Sequence, residues 1–318
     1  YQLIKESLPA HDSKNYNKGG LQYKNVIPII SDLFQNDFEF LRSDEASFLK
    51  DVENLFKYYY FFYMTQLTKR LNQFGTLDEI KPIYFTLDWE SISSSRIGYQ
   101  FGWKSFEDEL WTLFTHANTI ELLNYIEIDG KVLGSYDEIM SLTNNLDEAT
   151  ETVLVAKIQE LKSFYTSNNN IVFEKEGNED ELERRIVRLI KTDDSQVLKE
   201  IKTLFSTVDF VLEKTGRRVA GNRYADWLVS FSKINFTKTR GNLGLTTNMK
   251  QEVLLFLVKL CVGKEEKIRL NQLWVELENR GVKFDESSKT EIIKLFERIN
   301  LLEKKSDSGD AQYVKSII

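Results

Sequence analysis

Asp88 and Glu90, in the stretch "LDWES", are the pair of carboxylates in this chain best spaced for chemistry. They stand two apart at the end of a β-like run, and side chains two apart on a strand share a face. Such a pair can hold a hard cation for phosphodiester hydrolysis. Many nuclease sites add a lysine two residues after the second acid, but here that place is taken by Ile92. Acids at a strand end are commonly just solvated, and a metal-dependent nuclease would rest on these two residues alone. The two histidines, His11 and His116, are far apart and lack companions for a triad or a zinc site. His116 lies in an apolar helical stretch and is most simply a hydrogen-bonded core residue. Neither a Gly-x-x-x-x-Gly-Lys-Ser/Thr phosphate loop nor a dinucleotide fingerprint occurs. We therefore expect no cofactor and no catalytic residue.

The second chemical feature is positive charge. Residues 216–244, "GRRVAGNRYADWLVSFSKINFTKTRGNLG", carry Arg217, Arg218, Arg223, Lys233, Lys238 and Arg240 against one acid, Asp226. That segment is +5 in a chain of −7, so the remainder is −12. Tyr224, Trp227, Phe231 and Phe236 are interleaved with the cations, a combination that grips a nucleic-acid backbone and stacks bases. The same aromatics recur at helical spacing and equally suit the inner face of a helix. The arginines would then pair with acids elsewhere on the acidic body or on a partner. Both roles stay open from sequence.

The elements that must position these groups are mainly helical. The hydrophobic fraction of 42% and aromatic fraction of 13% describe a folded chain long enough for two or three cores. Prolines stop at Pro82, so long helices are permitted beyond it. The single Cys261 excludes an internal disulfide and fits a reducing, cytoplasmic compartment. The run "YYYFFYM" is too short to span a bilayer, and no signal peptide is evident. The chain opens at Tyr1 without a methionine, which leaves open whether its N-terminus is truncated.

We expect a polar connector over 1–24 and a mainly helical body with a few short strands over 25–245. Positions 166–170 are a candidate internal boundary. The body should hold a long helix over 43–74 capped by Ser43 or Asp44 and stopped at Gly75. A β-like run over 81–91 and a helix over 105–126 should follow. A small hairpin turns at Asp129-Gly130. Further helices fall at 147–165, 179–191, 195–205 and from 208 to 213 or beyond.

Residues 247–318 then predict a separate winged-helix domain. Asn248 would cap a first helix ending near Val262, "KIRL" would form a strand, and Asn271 would cap a second helix ending at Gly281. Asp285 would cap a third, and "LLEKKSDSGDAQYVKSII" would close as a hairpin wing. In that order the third helix is the groove reader. Its Lys289 and Lys294, and Lys304 and Lys305 of the wing, are the candidate contacts. Glu286, Glu291 and Glu297 balance the helix, and Asp307 and Asp310 balance the wing. A phosphate-seeking surface is usually of one sign, so protein contact or domain packing suits this module better. A stand-alone DNA-binding regulator is the alternative.

Three stretches carry a resemblance to a known family. They are "RGNLGLTTNM", "EKIRLNQLWVELENRGVKFDESSKTEIIKLFERINLLEKKSDSGDAQYVKSII" and, less distinctly, "LDWESISSSRIGYQFGWK". Together they resemble the DptG subunits of the bacterial phosphorothioation-dependent DNA restriction systems, over the C-terminal fifth to quarter of the chain. The resemblance implies a protein of antiviral defence acting with two companions, DptF and DptH, to cut DNA that lacks a sulfur-modified backbone. It implies that ATP-driven and DNA-cutting chemistry sits on those partners, so no catalytic residue transfers to this chain. Double-stranded DNA would then be met through the complex, with residues 216–244 as the nearest basic surface. No membrane partner is implied.

Overall fold

A computed structural model describes residues 27–75, 79–128, 130–143, 146–304 and 312–317. The connector over 1–24, Asp129, Lys305, Asp307 and Asp310 lie outside the described residues, as does the side chain of Tyr224. The fold is mostly helical with a few short strands. No helix among the described residues is long and apolar enough to cross a membrane.

Two helices open the fold, α1 (Pro28–Arg42) and α2 (Glu45–Gln73). Asp44 caps α2 by accepting from the Ser47 amide at 2.8 Å. The helix was expected to stop at Gly75, yet the left-handed residue is Phe74, at φ 52°. A glycine would adopt that conformation without strain. Phe74 is held there by packing, with its ring 5.2 Å from His116 and 5.1 Å from Phe205.

The β-like run beyond it divides into β1 (Ile83–Tyr84) and β2 (Thr86–Leu87), followed by α3 (Ile97–Gln100), α4 (Trp103–Leu110) and α5 (Leu113–Leu123). The single helix read over 105–126 is thus two. Between them Thr112 Oγ1 turns to Asn72 Oδ1 at 2.9 Å and the Glu109 carbonyl at 2.8 Å. The hairpin of β3 (Glu127–Ile128) and β4 (Lys131–Val132) forms as expected, and α6 (Tyr136–Ser141) and α7 (Glu148–Ser167) follow. Next come α8 (Asn170–Phe173), α9 (Asn178–Leu189), α10 (Gln196–Lys214) and α11 (Arg218–Asn235). No proline or glycine interrupts 196–214, so the two helices read there are one.

The chain continues through β5 (Thr237–Thr239), β6 (Leu245–Met249), α12 (Gln251–Val262), β7 (Lys267–Arg269) and α13 (Leu270–Asn279). It closes with β8 (Val282–Lys283), α14 (Glu286–Arg298), β9 (Leu302–Lys304) and β10 (Gln312–Lys315). Asn248 is no helix cap: it lies in β6, opposite Thr86. Asn271 is likewise inside α13, which starts after Arg269 without a side-chain cap. Asp285 caps α14 as read, accepting from the Ser288 amide at 2.9 Å.

The terminal strands form one sheet in the order β7-β10-β9, both pairs antiparallel. Ile268, Val314 and Leu302 point inward from it. The other strands stitch distant segments together. Here β1 runs parallel to β8, with Ile83 opposite Val282, and β2 runs parallel to β6, with Leu87 opposite Met249. One apolar core therefore joins Leu55, Phe61, Phe62, Phe85 and Leu87 to Leu257, Leu273, Ile292 and Phe296. A second core gathers Trp103, Phe106 and Leu110 with Leu154, Ile158, Ile201, Leu204 and Leu228. The long α2 contributes to both, through Leu55 and Leu71.

A buried ion pair reinforces the first core. Arg280 donates to both Asp37 oxygens at 2.9 and 2.7 Å, and the Tyr59 hydroxyl donates to the same carboxylate at 2.5 Å. Such a pair specifies geometry more than it adds net stability, because both charges give up water.

Candidate functional site

The acids that open the sequence reading lie in a turn after β2, not on a strand, and the alternation that would align them is lost. Asp88 faces solvent and accepts from Lys238 Nζ at 2.7 Å, which holds its carboxyl below the usual range. Glu90 turns inward and is buried. Its Oε1 accepts from the Leu87 amide at 2.7 Å and from Ser288 Oγ at 2.8 Å, and its Oε2 accepts from Arg96 at 3.2 Å. The two carboxylates are held by different partners, Asp88 by Lys238 and Glu90 by Arg96 and Ser288. Their geometry supports a braced turn, not a cation site.

Glu90 belongs to a cluster that joins the turn to α14. Arg96 Nε donates to Asp285 Oδ2 at 2.8 Å and Arg96 Nη2 to Oδ1 at 2.5 Å. The Gly98 amide adds a third donor to Asp285 at 3.1 Å. Burial alone would raise the Asp285 carboxyl. The Arg96 guanidinium and the Ser288 and Gly98 amides outweigh it and hold the group down at about 2. Arg96 itself is held above its ordinary value by the Asp285 hydrogen bonds. Sequence reading missed Arg96, and no local signal marks it, because its main partner lies 189 positions away.

This cluster buries one side of the first turn of α14. Asp285 is 8% exposed and Ser288 0%. A groove-reading helix meets base edges with its N-terminal residues; here residues 90–98 cover one side of that end, while Glu286 and Ser287 face solvent. The remaining lysines of the helix are neutralised from within. Lys289 reaches Glu286 and Lys294 reaches Glu291, both at 2.8 Å, and Lys304 of β9 reaches Glu297 at 2.5 Å. Lys305 lies outside the described residues.

The basic segment divides into three. Arg218 is absorbed into a network at the end of α10, 2.5 Å from Glu213 and 3.7 Å from Asp209. Arg185 of α9 shares both acids, at 2.9 and 3.7 Å, and lies over the Phe210 ring. Lys238 and Arg240 brace the 87–90 turn. Lys238 Nζ donates to the Asp88 carbonyl at 2.8 Å. Arg240 donates to the Leu87 carbonyl at 2.5 Å and to the Glu90 carbonyl at 2.9 Å, and burial lowers its guanidinium.

Arg217, Arg223 and Lys233 are exposed and make no ion pair among the described residues. They flank or lie on α11, where Val219, Arg223, Trp227 and Ile234 follow one another along a solvent-facing stripe. Trp227 is half-exposed and its ring lies 4.9 Å from Tyr60. Phe231 meets Tyr60 edge-on at 4.8 Å, and Phe236 is buried in the first core. Of these three rings, only that of Trp227 stands both half-open to solvent and beside a free cation. The arrangement can attract phosphate through three cations and offer one flat apolar surface; it holds no acid–base pair for bond cleavage.

No protein-family model matches the chain, and no curated protein matches it.

Proposed function

We propose that this chain is a non-catalytic assembly subunit of a phosphorothioation-dependent DNA restriction complex, working in the cytoplasm with DptF- and DptH-like companions. We read residues 247–318 as a winged helix used for packing and protein contact, with DNA met at α11. The observation that carries this is the state of α14. One side of its first turn is covered by Arg96, Glu90, Asp285 and Ser288, and Lys289 and Lys294 are each matched by a glutamate. Arg298 is the one cation of α14 without an ion pair among the described residues, so the helix offers little uncompensated charge for phosphates. The three uncompensated cations, Arg217, Arg223 and Lys233, support α11 as the nucleic-acid surface. The resemblance of the terminal stretches supports the choice of complex.

The test has two parts. Purification with the companion subunits should yield a stable complex, and the isolated chain should neither hydrolyse ATP nor cleave DNA. Duplex binding by the complex should then be titrated with salt. Changing Arg217, Arg223 and Lys233 together to Glu should abolish the salt-dependent binding, since each lost phosphate contact lowers the salt slope by about one. Changing Lys289 and Lys294 to Glu should leave it unaltered. The reverse pattern, or Mg²⁺-dependent cleavage lost on Asp88→Ala, would overturn the proposal.

A further inference from the structure

The indole of Trp227 is mounted on one side and open on the other. Ala225 and Leu228, its neighbours on α11, belong to the second core, so the helix turn that carries the ring is fixed. Tyr60 of α2 lies against one side of the indole, 4.9 Å between centroids and tilted by 42°. Phe231 braces Tyr60 in turn, edge-on at 4.8 Å. The rest of the ring faces solvent: Trp227 is 48% exposed, and Val219 and Ile234 on the same stripe are exposed as well.

Cations stand on both sides of that ring along the helix axis. At a helical rise of about 1.5 Å per residue, Arg223 lies about 6 Å before Trp227 and Lys233 about 9 Å after it, with Arg217 further upstream. The acid on this stretch is Asp226, and neither it nor the three cations has an ion pair among the described residues. A strand laid along α11 would therefore meet positive charge before and after the indole. Tyr125 and Phe164, which are more exposed, lack that setting. They line one groove with Glu127 and Glu160 and with Lys157, whose ammonium donates to the Glu127 carbonyl. The cations around Trp89 are engaged with Asp88, Glu90, Asp285 and the carbonyls of its turn.

We propose that Trp227 is a stacking platform for one base of an unpaired DNA strand, with the phosphates on either side of that base held by Arg223 and Lys233. This deepens the reading of α11 as a nucleic-acid surface and rests on it. The charge of the stripe, three cations against one acid, matches a polyanion and not the surface of a chain that is −7 overall. Cations alone would hold a duplex or a single strand through its phosphates. The indole discriminates between them. In a duplex the bases are stacked on one another and show only their edges in the grooves, so a flat ring gains a partner only where the strand is unpaired. Each of the four bases has a face to offer, so the contact does not depend on sequence.

The probes are a short oligothymidylate, an abasic strand of the same length and a duplex, titrated into the full chain and its variants after a check of the circular dichroism spectrum. Trp227→Ala should lower the affinity for oligothymidylate relative to that for duplex by about 10-fold or more, and Trp227→Phe should recover part of that ratio. The abasic strand keeps the phosphates and lacks the bases, so the unaltered chain should bind it about as weakly as Trp227→Ala binds oligothymidylate. Oligothymidylate should also quench the tryptophan emission of the unaltered chain more than that of Trp227→Phe, a readout that stands even where Trp227→Ala fails to fold. Equal losses on oligothymidylate and duplex, or the same quenching in Trp227→Phe, would overturn the stacking and leave α11 as a nucleic-acid surface. A Trp227→Ala loss confined to the binding of a DptF- or DptH-like subunit would overturn it in favour of a protein interface. If the unaltered chain binds none of the three probes, or changing Arg217, Arg223 and Lys233 to Glu alters binding to none, the reading of α11 falls and the stacking with it.

Discussion

The Arg96 guanidinium and the Asp285 carboxylate, 189 positions apart in the chain, meet in a two-pronged contact of 2.8 and 2.5 Å. That contact joins the segment after β2 to the cap of α14, and Glu90 and Ser288 complete it. It is the polar counterpart of the apolar core beneath, which runs through the same two parts of the chain.

Arg96→Ala should destabilise the fold by about 3–5 kcal/mol, because it strands two buried carboxylates instead of removing a surface pair. Urea denaturation of the purified chain measures this directly. Arg96→Lys keeps the charge but not the planar fork, and should recover only part of the loss. A change below about 1 kcal/mol for Arg96→Ala would show that the cluster is not structural.

Stability should fall in two stages on acidification. His116 is buried between Phe74 and Phe205, and burial pushes its imidazole down to about 3 from its ordinary 6.5. Below 6.5 the unfolded chain takes up a proton that the folded chain refuses, so stability declines as the pH drops from about 6.5 toward 3. The slope is about 1.4 kcal/mol per pH unit once well below 6.5. Asp285 acts lower, since its folded carboxyl lies at about 2 against 3.8 ordinarily. Its contribution is complete above about pH 4 and is lost as the pH falls toward 2. Melting temperatures of His116→Phe between pH 6.5 and 5 should be flatter than those of the unaltered chain; parallel curves would refute the assignment.

Two glycines should respond oppositely to alanine. A Cβ on Gly102 would lie 2.6 Å from the Gly98 carbonyl oxygen, 2.8 Å from that of Tyr84, and against Thr247 Oγ1. Two of these neighbours are backbone and cannot swing away, so Gly102→Ala should cost about 2 kcal/mol or more. Gly75 has only the Gln73 carbonyl within range, at 3.9 Å. Gly75→Ala should stay within about 0.5 kcal/mol, since the left-handed residue at this helix end is Phe74. Thermal melts of the two variants, side by side, check the pair.

Much of the helical content was legible in the residues. Asp44 and Asp285 cap helices because a short oxygen-bearing side chain can take an amide of the first turn, and this is a local event. The pairing of Lys289 with Glu286 and of Lys294 with Glu291 follows from helical spacing alone. The antiparallel pairing of β3 with β4, strands close in sequence, is likewise local in origin.

What the residues alone left open, or misplaced as with Asn248, concerns groups whose surroundings come from far along the chain. Asn248 has the residue type of a cap, but its backbone pairs with Thr86 in β6. Asp88 and Glu90 have the spacing of a metal pair, yet Lys238 takes one outward while Arg96 and Ser288 take the other inward. The basic run over 216–244 is one patch in sequence. In space Arg218, Lys238 and Arg240 are consumed by structure, and Arg217, Arg223 and Lys233 are left exposed.

By itself, then, the sequence determined most of the helices, the Asp44 and Asp285 caps and the self-neutralised lysines of α14, since these depend on hydrogen bonds and contacts within a few residues. It also determined the closing hairpin: β10 pairs with β9 and with the "KIR" strand in the order that the apolar residues Ile268, Leu302 and Val314 require. Only the tertiary structure decided which charges of the basic segment are taken into the fold and which stay exposed. Burial turns a charged side chain toward whatever opposite group the fold brings near, and those groups lie 150 to 198 positions away. Arg240 and Arg96 owe their roles to that meeting.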